Sequence, residues 1–329
     1  MLKELLNLKD RKILFQLDID CRQSDSEIGK KVGLSKQTVA YRIKRLIKEG
    51  FITRFASVID TYKLGYSKYK IYLSFENASK NIIAEITDFL VKNKKTEWIA
   101  TCSGKWDLIA GYLVSDVYEF NEALKELDEK YSQFISSREV TISLGVPHWR
   151  KEYLLESKEH YPVVYQGGKK ENTKIDDKDE EIIRMLVNNA RMSIIDLATK
   201  LKLTPRIVNY RIKDLERKKI ILVNRTFLNL NKINWIYCKA LLKFKSLTDK
   251  KYKSFFNYCS GLKNLTYMIN CIGSWDIELD FEIENFNEFH KIMSEIRNQF
   301  TEIIKNYDFI VVMNEDKLDY YPGAYPKLN

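Results

Sequence analysis

Gln37, Tyr41, Lys44 and Lys48 follow one another at intervals of four, three and four residues, so a helix would carry them on one face, with Thr38 and Arg45 beside them. That face offers an amide, a phenol, a hydroxyl and several cations, with no acid until Glu49. Such groups meet the needs of a DNA major groove, where amides and hydroxyls read base edges and cations hold phosphates. Taken alone, the segment could equally be the solvated face of an ordinary three-helix bundle. A second segment restates the pattern: Arg206, Tyr210, Lys213 and Arg217 share a face, with Ile207 and Asp214 on its flank and Asn209 among the candidate DNA contacts. The two sets differ in residue type, which predicts two DNA half-sites of unlike sequence. Arg42 and Arg211 fall at the edge of the buried face, where a structural or phosphate-holding role is expected over base reading.

The hairpin Cys-Ser-Gly-Lys-Trp-Asp and its twin Cys-Ile-Gly-Ser-Trp-Asp are the other candidate chemistry. In one reading Gly104 and Gly273 supply a tight turn while Trp106 and Trp275 fill core space. In the other, Asp107 and Asp276 help line a small-ligand pocket where two sheets meet. The remaining reactive side chains are sparse. The five cysteines never fall in Cys-x-x-Cys spacing, and none of His148, His160 and His290 neighbours a cysteine pair, so no metal site and no cofactor are expected.

These candidates sit inside a duplication. Val39 to Ile52 (VAYRIKRLIKEGFI) returns as Val208 to Ile221 (VNYRIKDLERKKII); Tyr41 and Tyr210 stand 169 residues apart, as do Gly104 and Gly273. One constant offset across separate blocks means that a whole unit was copied. In the first unit, Ile13, Leu14 and Leu17 mark a helix with Asp10 placed to cap it, and Ile28 and Val32 mark a second. Val-Gly-Leu-Ser then makes a turn in which Gly33 suits a positive φ and Ser35 caps a third helix that buries Val39, Ile43 and Leu46. In the second unit Thr204 is the cap, Pro205 the first helical residue, and Val208, Ile212 and Leu215 the buried face. Lys202 replaces the turn glycine there, which predicts a looser or longer turn.

Beyond Gly65 the periodicity reads strand (Lys68 to Phe75), helix (Ser79 to Lys92), strand (Glu97 to Cys102), strand (Trp106 to Val114), helix (Val117 to Tyr131), strand (Arg138 to Leu144), and the order repeats from Tyr237 to Met313. This βαββαβ order is that of a ferredoxin-like sheet with one face open, so the two copies, or two chains, are expected to pack sheet against sheet. A formal charge of +10 and a pI near 9.1 favour polyanionic partners. No apolar run approaches a membrane span, and the amphipathic start is unlike a signal peptide, so a soluble cytoplasmic protein is expected.

Asp10, Val-Gly-Leu-Ser (Val32 to Ser35), V-x-x-R-I-x-x-L (Val39 to Leu46), Gly50-Phe51-Ile52 and Gly104 to Asp107 together resemble the Lrp/AsnC family of feast-or-famine regulators, twice over. The resemblance implies an α+β tandem of a winged helix-turn-helix and a ferredoxin-like domain: 1–60, 61–150, a linker at 151–174, then 175–230, 231–315, and a tail at 316–329. It implies binding to double-stranded DNA, dimerisation through the sheet domain (here an intramolecular pseudo-dimer, with homo-oligomers beyond it), and a small effector such as an amino acid. Ser35, Thr38 and Thr204 join the expected DNA contacts, and the Gly104, Trp106, Asp107, Gly273, Trp275 and Asp276 hairpins the expected effector site. The alternative is an enzyme of the same architecture, since tandem siroheme decarboxylases resemble these regulators. Those enzymes carry a His-Asn-Tyr segment and an Asn-Leu-Trp-Phe run around the central strands. Here the region reads TEWIATCSGKWDLIAGYLV and LTYMINCIGSWDIELDFEI, without histidine, so a non-enzymatic regulator is expected.

Overall fold

The computed structural model describes residues 2–155 and 161–324; the middle of the expected linker and the last five residues of the expected tail lie outside the described residues. The first unit opens with α1 (Leu2–Leu5), α2 (Leu8–Ile19), α3 (Asp25–Val32) and α4 (Lys36–Lys48). Each longer helix start is written into the sequence: the Asn7 side chain caps α2, Ser24 and Glu27 form a capping box on α3, and Ser35 caps α4 by accepting from the Thr38 N–H. Gly33 at φ +66° makes the turn into α4. Strand β1 (Ile52–Ile59) is the wing, and β2 (Ser67–Phe75), α5 (Lys80–Lys92), β3 (Thr96–Gly104), β4 (Leu108–Val114), α6 (Val117–Tyr131) and β5 (Ile135–His148) form the α/β domain.

After the short β6 (Val164–Gly167), the second unit repeats the plan with α7 (Asp177–Asn188), α8 (Ile194–Leu201), α9 (Pro205–Arg217) and the wing β7 (Ile221–Leu228). Its α/β domain is β8 (Ile236–Phe244), α10 (Asp249–Cys259), β9 (Leu265–Ile272), β10 (Ile277–Ile283), α11 (Phe286–Gln299) and β11 (Ile304–Leu318). Within each half the strand order is ferredoxin-like, β5-β2-β4-β3 and β11-β8-β10-β9.

The two sheets do face each other, but their edges also join. β3 pairs with β11 and β5 with β9, so eight strands close into a barrel with β6 appended to β5. Alternate residues serve its two sides. Ile71, Leu73, Ile99 and Leu108 face α5 and α6 on the outside, while Tyr72, Trp98, Ala100 and Ile109 face inward together with Tyr237, Leu241 and Ile269. The cross-pairing also explains why β5 and β11 outrun their expected ends: the extra residues bond to the other half, as in His148 with Tyr267 and Leu318 with Trp98. A repeat pattern read one unit at a time does not contain those partners.

For the same reason the expected linker and tail are more structured than their composition suggests. β6 extends the sheet, Trp149 and Leu154 are buried, and Tyr320, Tyr321 and Ala324 pack into the core of the second helix-turn-helix.

The wings β1 and β7 pair antiparallel, with Ala56 opposite Arg225, its own repeat-mate. Phe55 meets Thr226 and Ser57 meets Asn224, so the register is symmetric about that point and a pseudo-two-fold axis passes through it. The barrel obeys the same axis, since Ser143 opposite Cys271 is matched by Val312 opposite Cys102.

Candidate nucleic-acid interface

Each recognition helix is a two-sided object. Val39, Ile43 and Leu46 of α4 are buried, as are Val208, Ile212 and Leu215 of α9, and this fixes which face is left outward. Tyr41 is 68% exposed and Tyr210 67%, far above the usual state of a large aromatic ring. Gln37, Lys44 and Lys48 are exposed around Tyr41, and Arg206, Asn209, Lys213 and Arg217 around Tyr210. Among the described residues no ion pair holds Lys44, Lys48, Arg206 or Lys213. Their charge is free for a polyanion.

Other candidates have structural work. Arg42 Nη1 donates to Asp10 Oδ1 at 2.7 Å and Arg45 Nη2 to Asp10 Oδ2 at 2.6 Å, so one buried carboxylate ties α4 to α2. This corrects two expectations: Asp10 is an anchor, the cap being Asn7, and Arg45 is bound inward. In the second unit Arg211 spans Asp176 and Asp179 at 2.7–2.8 Å, and these hydrogen bonds raise the pKa of its guanidinium. Asp214 stands where Arg45 stands in the first unit. It bonds Arg217 and Lys218 within its own helix, and those bonds lower its pKa. Copy two therefore presents a less purely cationic face.

Ser35 and Thr204 use their hydroxyls as N-caps, and Thr38 Oγ1 lies 2.9 Å from Ser35 Oγ, so these three shape the helix start. The turn before α9 is neither looser nor longer than its counterpart. Lys202 takes the left-handed conformation at φ +55°, and Leu203 N–H reaches Ala198 O as Leu34 N–H reaches Gly29 O, both at 2.9 Å. The lysine simply accepts the strained backbone that Gly33 adopts freely.

The hairpins behave as tight turns that clasp the two halves. Gly104 and Gly273 have φ of +124° and +152°, and Trp106 and Trp275 are buried inside the barrel. Asp107 Oδ2 accepts from Phe75 N–H and Asp276 Oδ2 from Phe244 N–H, each at 2.8 Å, so both carboxylates brace the neighbouring strand. None of the six hairpin residues lines the cavity inside the barrel. Polar residues at period-two positions do line it: Lys68 and Lys70, Lys239, Asp280, Glu97 and Glu315. Sequence reasoning missed that set, although charges alternating within apolar strands were its visible signal.

No group of three or more metal-ligating side chains occurs among the described residues, and none of their helices is long and apolar enough to cross a membrane.

Comparison with known proteins follows the same outline. A family profile described as winged helix-turn-helix DNA-binding matches residues 6–53 and again 175–221. An uncharacterized HTH-type transcriptional regulator of Pyrococcus furiosus is 30% identical over 145 residues, spanning 44% of this chain and 96% of that protein. One from Pyrococcus horikoshii is 30% identical over 140 residues, 43% of this chain and 87% of its own. Among solved structures, a siroheme decarboxylase covers 95% of this chain and 94% of its own at a TM-score of 0.63 and 12% identity, a likeness of fold alone.

Proposed function

This chain belongs to the Lrp/AsnC family of helix-turn-helix transcriptional regulators as two fused copies, and from that premise we propose that it binds one imperfectly two-fold DNA site as an intramolecular pseudo-dimer. α4 enters one major groove and α9 another, with half-sites about one helical turn of ~10 bp apart or a multiple of it. The observation that carries this reading is the pair of outward faces around Tyr41 and Tyr210, related by the axis at Ala56 and Arg225. A palindromic frame follows from the axis, and unlike half-sites follow from Gln37 facing Arg206 across it and Arg45 facing Asp214.

The protein acts in the cytoplasm, with its DNA, and as a regulator instead of an enzyme. The tetrapyrrole alternative is supported by shared fold only, and an absorbance scan for bound tetrapyrrole tests it. A small effector such as an amino acid, and homo-oligomers of the pseudo-dimer, belong to the same proposal on the strength of family membership. The hairpins at Gly104 and Gly273, which touch the last strand of the opposite half, are where an effector could act on the joint between halves. Selection of bound fragments from genomic DNA, with and without an amino-acid mixture, tests the whole reading. It predicts enrichment of a split, imperfect palindrome whose binding falls steeply with salt.

A further inference from the structure

The first turns of the two recognition helices differ in kind. In α4 the third residue is Thr38, half-buried, with its Oγ1 2.9 Å from the hydroxyl of the capping Ser35. In α9 the repeat-mate is Ile207, again the third residue, and it stands 42% exposed. Core packing therefore does not explain an isoleucine here. Helix formation does not explain it either, since a β-branched side chain gives up rotamer freedom in a helix. The Ile207 N–H donates to the Thr204 hydroxyl at 3.3 Å, a bond to which the side chain contributes nothing.

Ile207 belongs to a composite surface. Tyr210, 67% exposed, follows three residues later and so lies beside it on the helix. Arg206 and Lys213, both exposed and without ion pairs among the described residues, border the two apolar side chains. A lone exposed isoleucine is ordinary. This one shares the open side of a recognition helix with a bare aromatic ring and two free cations. A partner with a wholly apolar surface would strip water from both cations and return nothing for it. A duplex meets them with phosphates and base acceptors.

A duplex also has a place for the isoleucine, and only one kind of place. The first turn of a recognition helix is the part that reaches base edges in the major groove. The pattern displayed there consists of hydrogen-bond donors and acceptors, with a single apolar group among them, the C5-methyl of thymine. We propose that Ile207 is a specificity-determining residue that packs on the C5-methyl of a thymine in the half-site under α9, next to a guanine held by Arg206. The half-site under α4 is read without such a contact, because Thr38 is half-buried with its hydroxyl turned to Ser35, and Gln37 suits adenine. This inference rests on the DNA reading above and gives the two half-sites different chemistry.

The test titrates the full chain with its selected site, and with the same site carrying deoxyuridine for thymine in one half at a time, which removes only the methyl groups. Substitution in one half should weaken binding by about fourfold, the worth of one carbon withdrawn from water. Substitution in the other half should have no such effect. Ile207→Ser, a change at an exposed position, should bind the thymine site as weakly as the native chain binds the uracil site, and should lose the response to uracil. Ile195→Ser removes a still more exposed isoleucine, 69% and on α8, and should keep that response. Arg206→Ala should relax base choice in the responding half. Site-selective binding that ignores uracil, responds equally in both halves, or still responds after Ile207→Ser would overturn the proposal and leave the DNA reading standing. Failure to select any site would overturn both.

Discussion

Asp18 of α2 and Arg225 of β7 form a fully buried ion pair between the two units: Arg225 Nη2 and Nε reach Asp18 Oδ1 at 2.7 and 2.9 Å, and Nη2 also donates to Trp149 O at 2.8 Å. The Lys151 N–H satisfies Asp18 Oδ2 at 2.9 Å. Across the pseudo-two-fold axis the same two positions are Val187 and Ala56, both buried. One symmetric contact thus exists in a charged and an apolar version within a single molecule.

Removing one partner should be costly. Asp18→Ala leaves the Arg225 charge buried without its counter-ion and is expected to destabilise the chain by about 3–5 kcal/mol in denaturant unfolding. The double change Asp18→Val with Arg225→Ala copies the version on the other side and should recover most of that loss. A double variant no more stable than Asp18→Ala would show that the two sides of the axis are not equivalent environments.

Lys202 and Lys219 occupy left-handed backbone that glycine holds in the first unit at Gly33 and Gly50. Lys202→Gly and Lys219→Gly should each stabilise by about 1 kcal/mol, the difference between side-chain strain and glycine's chain entropy. A rise in melting temperature of about 2 °C per change is the expected reading. No rise would mean that each lysine side chain compensates through contacts of its own.

Asp60 is buried where the first wing meets β6, and burial lifts its carboxyl from the ordinary 3.8 to about 6, against the pull of the Tyr62 and Gly167 N–H groups. An acid with a raised folded value binds more protons folded than unfolded between those limits. Its contribution to stability therefore falls as pH rises from about 4 to about 6. Asp60→Asn keeps an oxygen for both N–H groups, and should gain about 1 kcal/mol at pH 7 after allowance for partial solvation. Urea unfolding at pH 4 and pH 7 checks this, with a smaller gain expected at pH 4.

Lys44 and Lys48 should act on affinity, and Gln37 and Tyr41 on preference. Replacing both lysines by alanine should weaken all DNA alike and reduce the slope of log affinity against log salt by about 2. Gln37→Ala with Tyr41→Phe should relax base choice in one half-site and leave the salt slope nearly unchanged. Sequence-independent weakening by both pairs of changes would remove the division of roles.

Much of this was legible in the chain. The offset of 169 residues, the caps at Ser35 and Thr204, and the apolar spacing of Val39, Ile43 and Leu46 are local signals, and local chemistry is enough to make those elements. The closed barrel was not legible, because the pairing of β5 with β9 joins residues more than a hundred positions apart and no short-range pattern encodes it. Asp10 misled for a related reason. An acid in the first turn of a helix reads as a cap, and only the approach of Arg42 and Arg45 from another helix reveals an anchor.

The central claim is that one rigid pair of recognition helices reads one site in a fixed phase of the duplex. Binding of the full chain to its selected site, and to the same site with about 5 bp inserted between the half-sites, tests it most directly, since half a helical turn carries the second groove to the far side. The account predicts a large loss of affinity with the half-turn insertion and recovery with about 10 bp. Equal affinity for all three spacings would contradict it.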